Sequence, residues 1–311
     1  MAQVYKKTDP LAHTYSIVAY DSITGEMGVA VQSHWFSVGT TVSWAEAGVG
    51  AVATQSFVNK SFGIRGLELL KSGLTAQQAL DKLLSDDEGR EMRQVAIVDA
   101  KGTIANFTGK NCIDYAGQIK GANFSVQSNM MLTDKVPAAM AAAFRKSVGK
   151  SLAERLLLSL EAAQSVGGDI RGQQSAAILI VPGKSAGKPW DERTVDLRVD
   201  DNPAPLKELR RLYKVHTAYQ YMNNGDLAVE KGDMDGAMKQ YNAAMKLFPA
   251  NLEMQYWTGI TLANGKQIGK AMPILKKVFA KDKNWKELTR RLPKVGLLTV
   301  SDAELKQILA L

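Results

Sequence analysis

The sequence predicts an α+β domain of layered sandwich form followed by an all-α helical repeat domain, and three observations carry that expectation. Extended runs up to about residue 200 come in hairpins, paired helical stretches stand between those hairpins, and beyond Pro203 and Pro205 small residues recur with a 34-residue period. Strands grouped in hairpins suit antiparallel sheets covered by helices and exclude a regular βαβ alternation. The expected arrangement for residues 14–202 is two stacked sheets between two helical layers (αββα), with residues 203–311 as the helical unit.

The elements follow in order. Residues 15–20 form a β-branched and aromatic run, 21–25 supply turn formers, and 26–33 resume the extended pattern, which together read as a hairpin. A third extended segment, 49–55, again alternates small residues. One face of these strands therefore lets a neighbouring layer or a ligand approach closely. Helical periodicity covers 63–84 through Leu67, Leu70, Leu80 and Leu83, divided near Gly73, with Thr75 as the cap of the second part. A second hairpin joins 94–99 to 103–107, and 124–127 is a weaker strand. Residues 133–167 are helical, interrupted near Gly149, and 175–181 and 194–199 are the last two strands.

Composition bounds the function. Apolar residues at 45% and charged residues at 23% are the balance of a globular protein. The single cysteine, Cys112, forms no internal disulfide, the first twelve residues lack the apolar stretch of a secretory signal, and no run of about 18 apolar residues marks a membrane span. A cytoplasmic protein is the expectation. Residues 1–200 hold 21 Lys/Arg against 20 Asp/Glu, whereas residues 201–311 hold 18 against 11, so the formal charge of +8 belongs almost entirely to the helical part. There is no basic tract interleaved with aromatics, which argues against nucleic-acid binding. Neither GxGxxG nor GxxxxGK[ST] is present, and the three histidines, 13, 34 and 216, are too scattered for a multi-histidine metal centre. No cofactor is expected.

In the helical part, Leu206 to Asn223 reads as a helix. Gly225, Ala228, Gly232, Ala237, Tyr241, Ala244 and Pro249 then fit one tetratricopeptide-like repeat, and Gly259 and Ala271 recur 34 positions after Gly225 and Ala237. Small residues let antiparallel helices approach while Tyr241 and Leu275 fill the interface between them. Pro273 is placed at the first turn of its return helix, where it is tolerated, and residues 285–311 form a terminal cap. Homo-oligomerisation, or a protein or peptide partner for residues 203–311, is what such a surface is expected to support.

Four segments carry a resemblance: residues 14–21 (TYSIVAYD), 28–39 (GVAVQSHWFSVG), 44–55 (WAEAGVGAVATQ) and 168–177 (GDIRGQQSAA). They resemble the bacterial family catalogued as domain of unknown function 1028, whose members look like N-terminal-nucleophile hydrolases. The likeness covers about residues 13–200. It implies an αββα sandwich of N-terminal-nucleophile hydrolase type, in which a terminal Thr, Ser or Cys attacks an amide and its own α-amine acts as base.

The chemistry is demanding. A threonine hydroxyl needs a base, and an α-amine with a pKa near 7.7–8.0 suits that work but exists only when the threonine is the first residue. Thr14 stands at the start of the first strand with thirteen residues ahead of it, so residues 1–13 read as a leader whose removal at His13–Thr14 would expose the amine. The catalytic expectation is Thr14 as nucleophile, Asn129 as amide donor to an oxyanion, and Asp169 orienting the amine or Arg171. Ser33, His34, Asn59, Arg171 and Gln173 are the expected substrate-binding residues, with the Arg171 guanidinium suited to gripping a carboxylate. Structural alternatives stand beside these roles: a strand-edge threonine for Thr14, a loop-closing salt bridge for Asp169 and Arg171, and a purely structural place for His34. Two functions therefore stand side by side: an amide-bond hydrolase acting through a freed Thr14, and a non-catalytic binding or scaffolding protein that keeps the sandwich and uses its helical tail for partners.

Overall fold

The computed structural model describes residues 11–311 and falls into two compact units, the first ending at Leu212 and the second comprising Tyr213–Leu311. In chain order the first unit contains β1 (Leu11–Ala12), β2 (Thr14–Tyr20), β3 (Met27–Ser33), a short α1 (Gly39–Val42), β4 (Ser43–Glu46) and β5 (Gly50–Phe57). There follow α2 (Ser61–Lys71), α3 (Ala76–Ser85), β6 (Arg93–Asp99), β7 (Ile104–Thr108), β8 (Gly117–Lys120) and β9 (Phe124–Ser128). Helices α4 (Val136–Lys146) and α5 (Leu152–Ser165) precede β10 (Ser175–Val181) and β11 (Val195–Val199).

All pairings are antiparallel. One sheet runs β11-β10-β3-β2-β9-β8; the other runs β1-β5-β6-β7, with β4 also on β5. Alternation along each strand decides the layers. Val18, Val29, Val31, Ala51, Ala53, Ala96, Val98 and Leu179 meet between the sheets. Val52, Val95 and Ile97, one step out of phase, face outward and are covered by Phe62 and Leu67 of α2 and by Leu80 and Leu83 of α3. Helices α4 and α5 pack on the outer side of the other sheet; Phe124 of β9 meets Phe144 of α4 at 4.7 Å between ring centroids, and the Tyr15 hydroxyl donates to Gln164 Oε1 of α5 at 2.9 Å. Thr75 caps α3 by the expected device: its side chain accepts from the Gln78 backbone while Gln78 reaches back to Thr75 N.

At one end the layer between the sheets is not apolar. The same inward alternation that places Ala51, Ala53, Ala96 and Val98 also places Gln55 and Gln94, with Thr14, Ser16 and Gln127 facing them, all fully buried. Strand β1 and the start of β2 lie at this end. Ala12 pairs with Ser56 in one sheet and Thr14 pairs with Ser33 in the other, so His13 is the single residue by which the chain steps from one sheet to its neighbour.

Helix α6 (Pro205–Glu230) leads into the second unit, which continues with α7 (Met234–Leu247), α8 (Leu252–Asn264), α9 (Ile268–Lys281), α10 (Asn284–Arg291) and α11 (Asp302–Leu309). The 34-residue recurrence has its expected physical basis. A Cβ on Gly225 would overlap the Tyr241 ring, and one on Gly259 would come within 2.8 Å of Leu275, so the two glycines admit the two large side chains one repeat apart. Gly225→Ala is accordingly expected to destabilise the second unit by about 1–3 kcal/mol through overpacking, read as a lower urea midpoint for the far-UV transition. Residues 285–311 do cap the repeats, with Trp285, Leu292, Leu298 and Ile308 packed on α8 and α9. Pro273 departs from expectation. Helix α9 begins at Ile268, so the proline sits inside the helix instead of its first turn, and the Gly269 carbonyl loses an intrahelical donor.

Candidate functional site

The site grows from the His13 crossover. Pairing β2 against both β3 and β9 puts Ser33 and Asn129 beside the His13–Thr14 peptide, and the loop before β10 brings Asp169 and Arg171 to the same place. The His13 carbonyl accepts two side-chain hydrogen bonds, from Ser33 Oγ at 2.6 Å and from Arg171 Nη2 at 2.8 Å. The Thr14 hydroxyl donates to Ala12 O at 2.7 Å, and the Thr14 carbonyl accepts from Asn129 N at 3.1 Å and Gln55 Nε2 at 3.2 Å. Thr14 itself is fully buried.

Asp169 fixes the loop. Its carboxylate accepts from Arg171 N, Nε and Nη2 (2.9, 3.0 and 2.7 Å) and from His34 N at 3.1 Å. The guanidinium is thus held edge-on and aims one donor at His13 O, a charge-assisted arrangement stronger than a neutral hydrogen bond. Both ends of the Asn129 amide are engaged: its Oδ1 accepts a hydrogen bond from His13 Nδ1 at 2.8 Å and its Nδ2 donates to Gln94 Oε1 at 2.9 Å. The Asn129 amide expected to serve an oxyanion is thus hydrogen-bonded to Gln94 and His13. The donors on the carbonyl are Ser33 and Arg171, because the side chain of Asn129 is spent on the ring of His13.

Behind this first layer lies a neutral network. Gln55 Nε2 donates to Gln94 Oε1 at 2.7 Å, Ser16 Oγ to Gln55 Oε1 at 2.6 Å, and Gln127 Nε2 to Ser16 Oγ at 2.6 Å. Two non-glycine residues with positive φ flank the cluster, Ser56 at 73° opposite Ala12 and Met130 at 58° next to Asn129. Such strain is found preferentially where a site is held in place by its surroundings.

Other expected site residues are not brought together with Thr14. Asn59 Oδ1 accepts from Ser61 N and Ser61 Oγ (3.1 and 2.8 Å), a local turn that leads into α2. Gln173 lines a cavity of about 700 Å³ with Glu161, Gln164 and Arg210. A second cavity, about 400 Å³, lies beside Trp44, Ile64, Lys71 and Arg198. Thr14 lines neither. Among the described residues no group of His, Cys, Asp and Glu is arranged to hold a metal ion.

Burial pushes the His13 pKa below its usual 6.5. The Asn129 hydrogen bond opposes this, while Arg171 lowers it further and Asp169 raises it. The folded ring therefore binds protons less readily than the unfolded one. The stability contributed by neutral His13 is complete above about pH 6.5 and declines as the pH falls below it. Urea midpoints measured from about pH 7.5 to about pH 5.5 are expected to fall more in the natural protein than in His13→Gln; equal slopes would show that His13 does not couple to folding.

The model of the family of unknown function DUF1028 matches residues 14–209. The chain belongs to this family. The crystal structure of the DUF1028 protein SPO2555 from Silicibacter pomeroyi is similar at 31% identity and a TM-score of 0.59, over 66% of this chain and 90% of that one. No curated protein matches. In this DUF1028 protein the matched segment carries Thr14, Ser33, Asn129, Asp169 and Arg171 together, while the helical repeats lie beyond it. No helix among the described residues is long and apolar enough to cross a membrane.

Proposed function

We propose that this chain is a binding or scaffolding protein, in which the DUF1028 domain is a rigid body and the helical repeats meet the partner. The state of Thr14 carries this reading. Its nitrogen is an amide with Ala12 and His13 ahead of it, its hydroxyl proton is donated to Ala12 O, and the residue is fully buried. A hydroxyl so placed has no adjacent amine to act as base and no open approach for an amide substrate. The second unit supplies the complementary feature, with 15 Lys/Arg against 9 Asp/Glu in residues 213–311.

Crosslinking of the full chain in a native lysate, followed by mass spectrometry, tests the reading. Partner peptides attached to lysines of residues 213–311 are expected. Crosslinks confined to the DUF1028 domain would contradict it.

One observation favours a second reading, an N-terminal-nucleophile hydrolase of αββα type with Thr14 as nucleophile. The bond that would have to break first is His13–Thr14, and its carbonyl already holds two donors, Ser33 Oγ and Arg171 Nη2. Attack of Thr14 Oγ on the His13 carbonyl carbon would place negative charge on that oxygen, where both donors stabilise it. Collapse would break the His13 C–Thr14 N bond, with the hydroxyl proton passing to the departing nitrogen, and leave the acyl group on Thr14 Oγ as an ester beside the freed Thr14 amine; water would then hydrolyse that ester and release residues 1–13. Asp169 would then act as the positioning residue for Arg171. On this reading Arg171→Gln slows release of the leader, followed by intact mass, whereas Asn59→Ala leaves it unchanged.

A further inference from the structure

One face of α9 carries a stripe that the packing of the repeats leaves unused. Lys270, Ile274, Lys277 and Lys281 are spaced by four, three and four residues, which puts them on one side of the helix, with Pro273 at the margin. Ala271, Leu275, Val278 and Phe279 take the other side into the core. The three lysines are exposed. Among the described residues none of them has a carboxylate partner; Lys270 Nζ donates to Gln267 Oε1 at 2.8 Å.

Next to the stripe, Met245, Pro249, Gln255, Pro273, Ile274 and Lys277 line a cavity of about 320 Å³ between α7, α8 and α9. Gln255 Nε2 donates to Pro249 O at 2.7 Å, which fixes the floor. An apolar recess rimmed by unpaired cations is thus built into the second unit, and residues 266–294 around it hold ten Lys/Arg against only Asp282 and Glu287.

We infer that this groove docks an acidic peptide segment of a partner protein, which inserts one apolar side chain beside Met245 and Ile274 and pairs its flanking carboxylates with Lys270, Lys277 and Lys281. The inference rests on the partner-binding reading and names the chemistry of the partner. Complementary charge steers the encounter and the recess sets the register. A second copy of this chain is disfavoured as the occupant, because its own repeats carry the same sign of charge. A nucleic acid would meet the lysines but would find no aromatic side chain on the stripe for its bases to stack on. A membrane surface would need apolar groups that project, and here they are recessed.

The test is fluorescence anisotropy of a capped, fluorescein-labelled peptide, Asp-Glu-Asp-Leu-Glu-Asp-Glu, titrated with the full chain. Saturable binding is expected, weakened about tenfold when NaCl rises from about 0.05 M to about 0.3 M. Replacing the peptide's leucine with serine is expected to weaken it by roughly tenfold or more. Lys277→Glu and Ile274→Asp, each checked for unchanged far-UV circular dichroism, should each cost a comparable factor. Absence of binding, or binding indifferent to both substitutions, overturns the assignment, as does preferential binding of a labelled oligothymidylate that Ile274→Asp leaves unchanged. If partner crosslinks to residues 213–311 persist while the peptide fails to bind, the groove assignment falls and the partner-binding reading stands. If both fail, the reading falls with it.

Discussion

Asp169→Ala is expected to destabilise the DUF1028 domain by about 3 kcal/mol, a drop in Tm of about 6–12 °C for a domain of this size. The carboxylate side chain is fully buried and accepts four hydrogen bonds, three of them from Arg171 and one from His34 N. Removing it leaves a guanidinium without its counter-charge in a site where its side chain is only 28% exposed. That partial exposure keeps the expected cost at the lower end of the range for breaking a buried pair. The loss extends to the His13 carbonyl, because the donor Arg171 presents there is aimed by Asp169. Asp169→Asn is expected to cost less, since the amide oxygen keeps part of the acceptor set. Chemical denaturation monitored by tryptophan fluorescence reads both; a change below about 1 kcal/mol for the alanine variant would show that the pair is no more than a surface bridge.

Gln94→Leu is expected to have a still larger effect, about 4 kcal/mol, from unsatisfied partners alone. Gln94 Nε2 donates to Thr108 Oγ1, Ser128 O and Gly117 O (2.8, 2.9 and 3.3 Å) while its Oε1 accepts from Gln55 and Asn129. Leucine has nearly the same volume, so no cavity is created. Three buried groups, Ser128 O, Gln55 Nε2 and Asn129 Nδ2, and two half-buried ones, Thr108 Oγ1 and Gly117 O, instead lose a partner, and a half-satisfied polar network is worse than an apolar core. The same urea series measures it. A loss near 1 kcal/mol would mean that the network rearranges around the gap.

The layers of the first unit were legible because the strands alternate cleanly and the helices between them have separate apolar faces, as at Leu67, Leu80 and Leu83. Strands β1, β4 and β8 were not, since two to four residues give periodicity nothing to act on. The candidate site was legible in part. Thr14, Ser33, Asp169 and Arg171 stand in segments whose polar residues interrupt apolar runs, and they do converge. Gln55, Gln94 and Gln127 were missed, although a signal exists: each occupies an inward position in a strand whose other inward residues are small or apolar. His13 was missed for another reason. Its importance comes from bridging two sheets, and which sheet β1 joins is a long-range pairing that no local pattern encodes. The tail repeated the lesson in reverse. The Gly225–Tyr241 and Gly259–Leu275 contacts follow directly from the 34-residue spacing, whereas the position of Pro273 depended on where α9 begins, which is set by the turn before it.

The most direct test of the account is the N-terminal sequence and intact mass of the purified protein, measured together with its activity on a panel of amides. An uncleaved His13–Thr14 bond and no amide turnover is the result expected of a binding protein whose Thr14 is buried behind Ala12 and His13. Thr14 recovered as the first residue, with turnover that Thr14→Ala abolishes, would contradict it and establish the hydrolase instead.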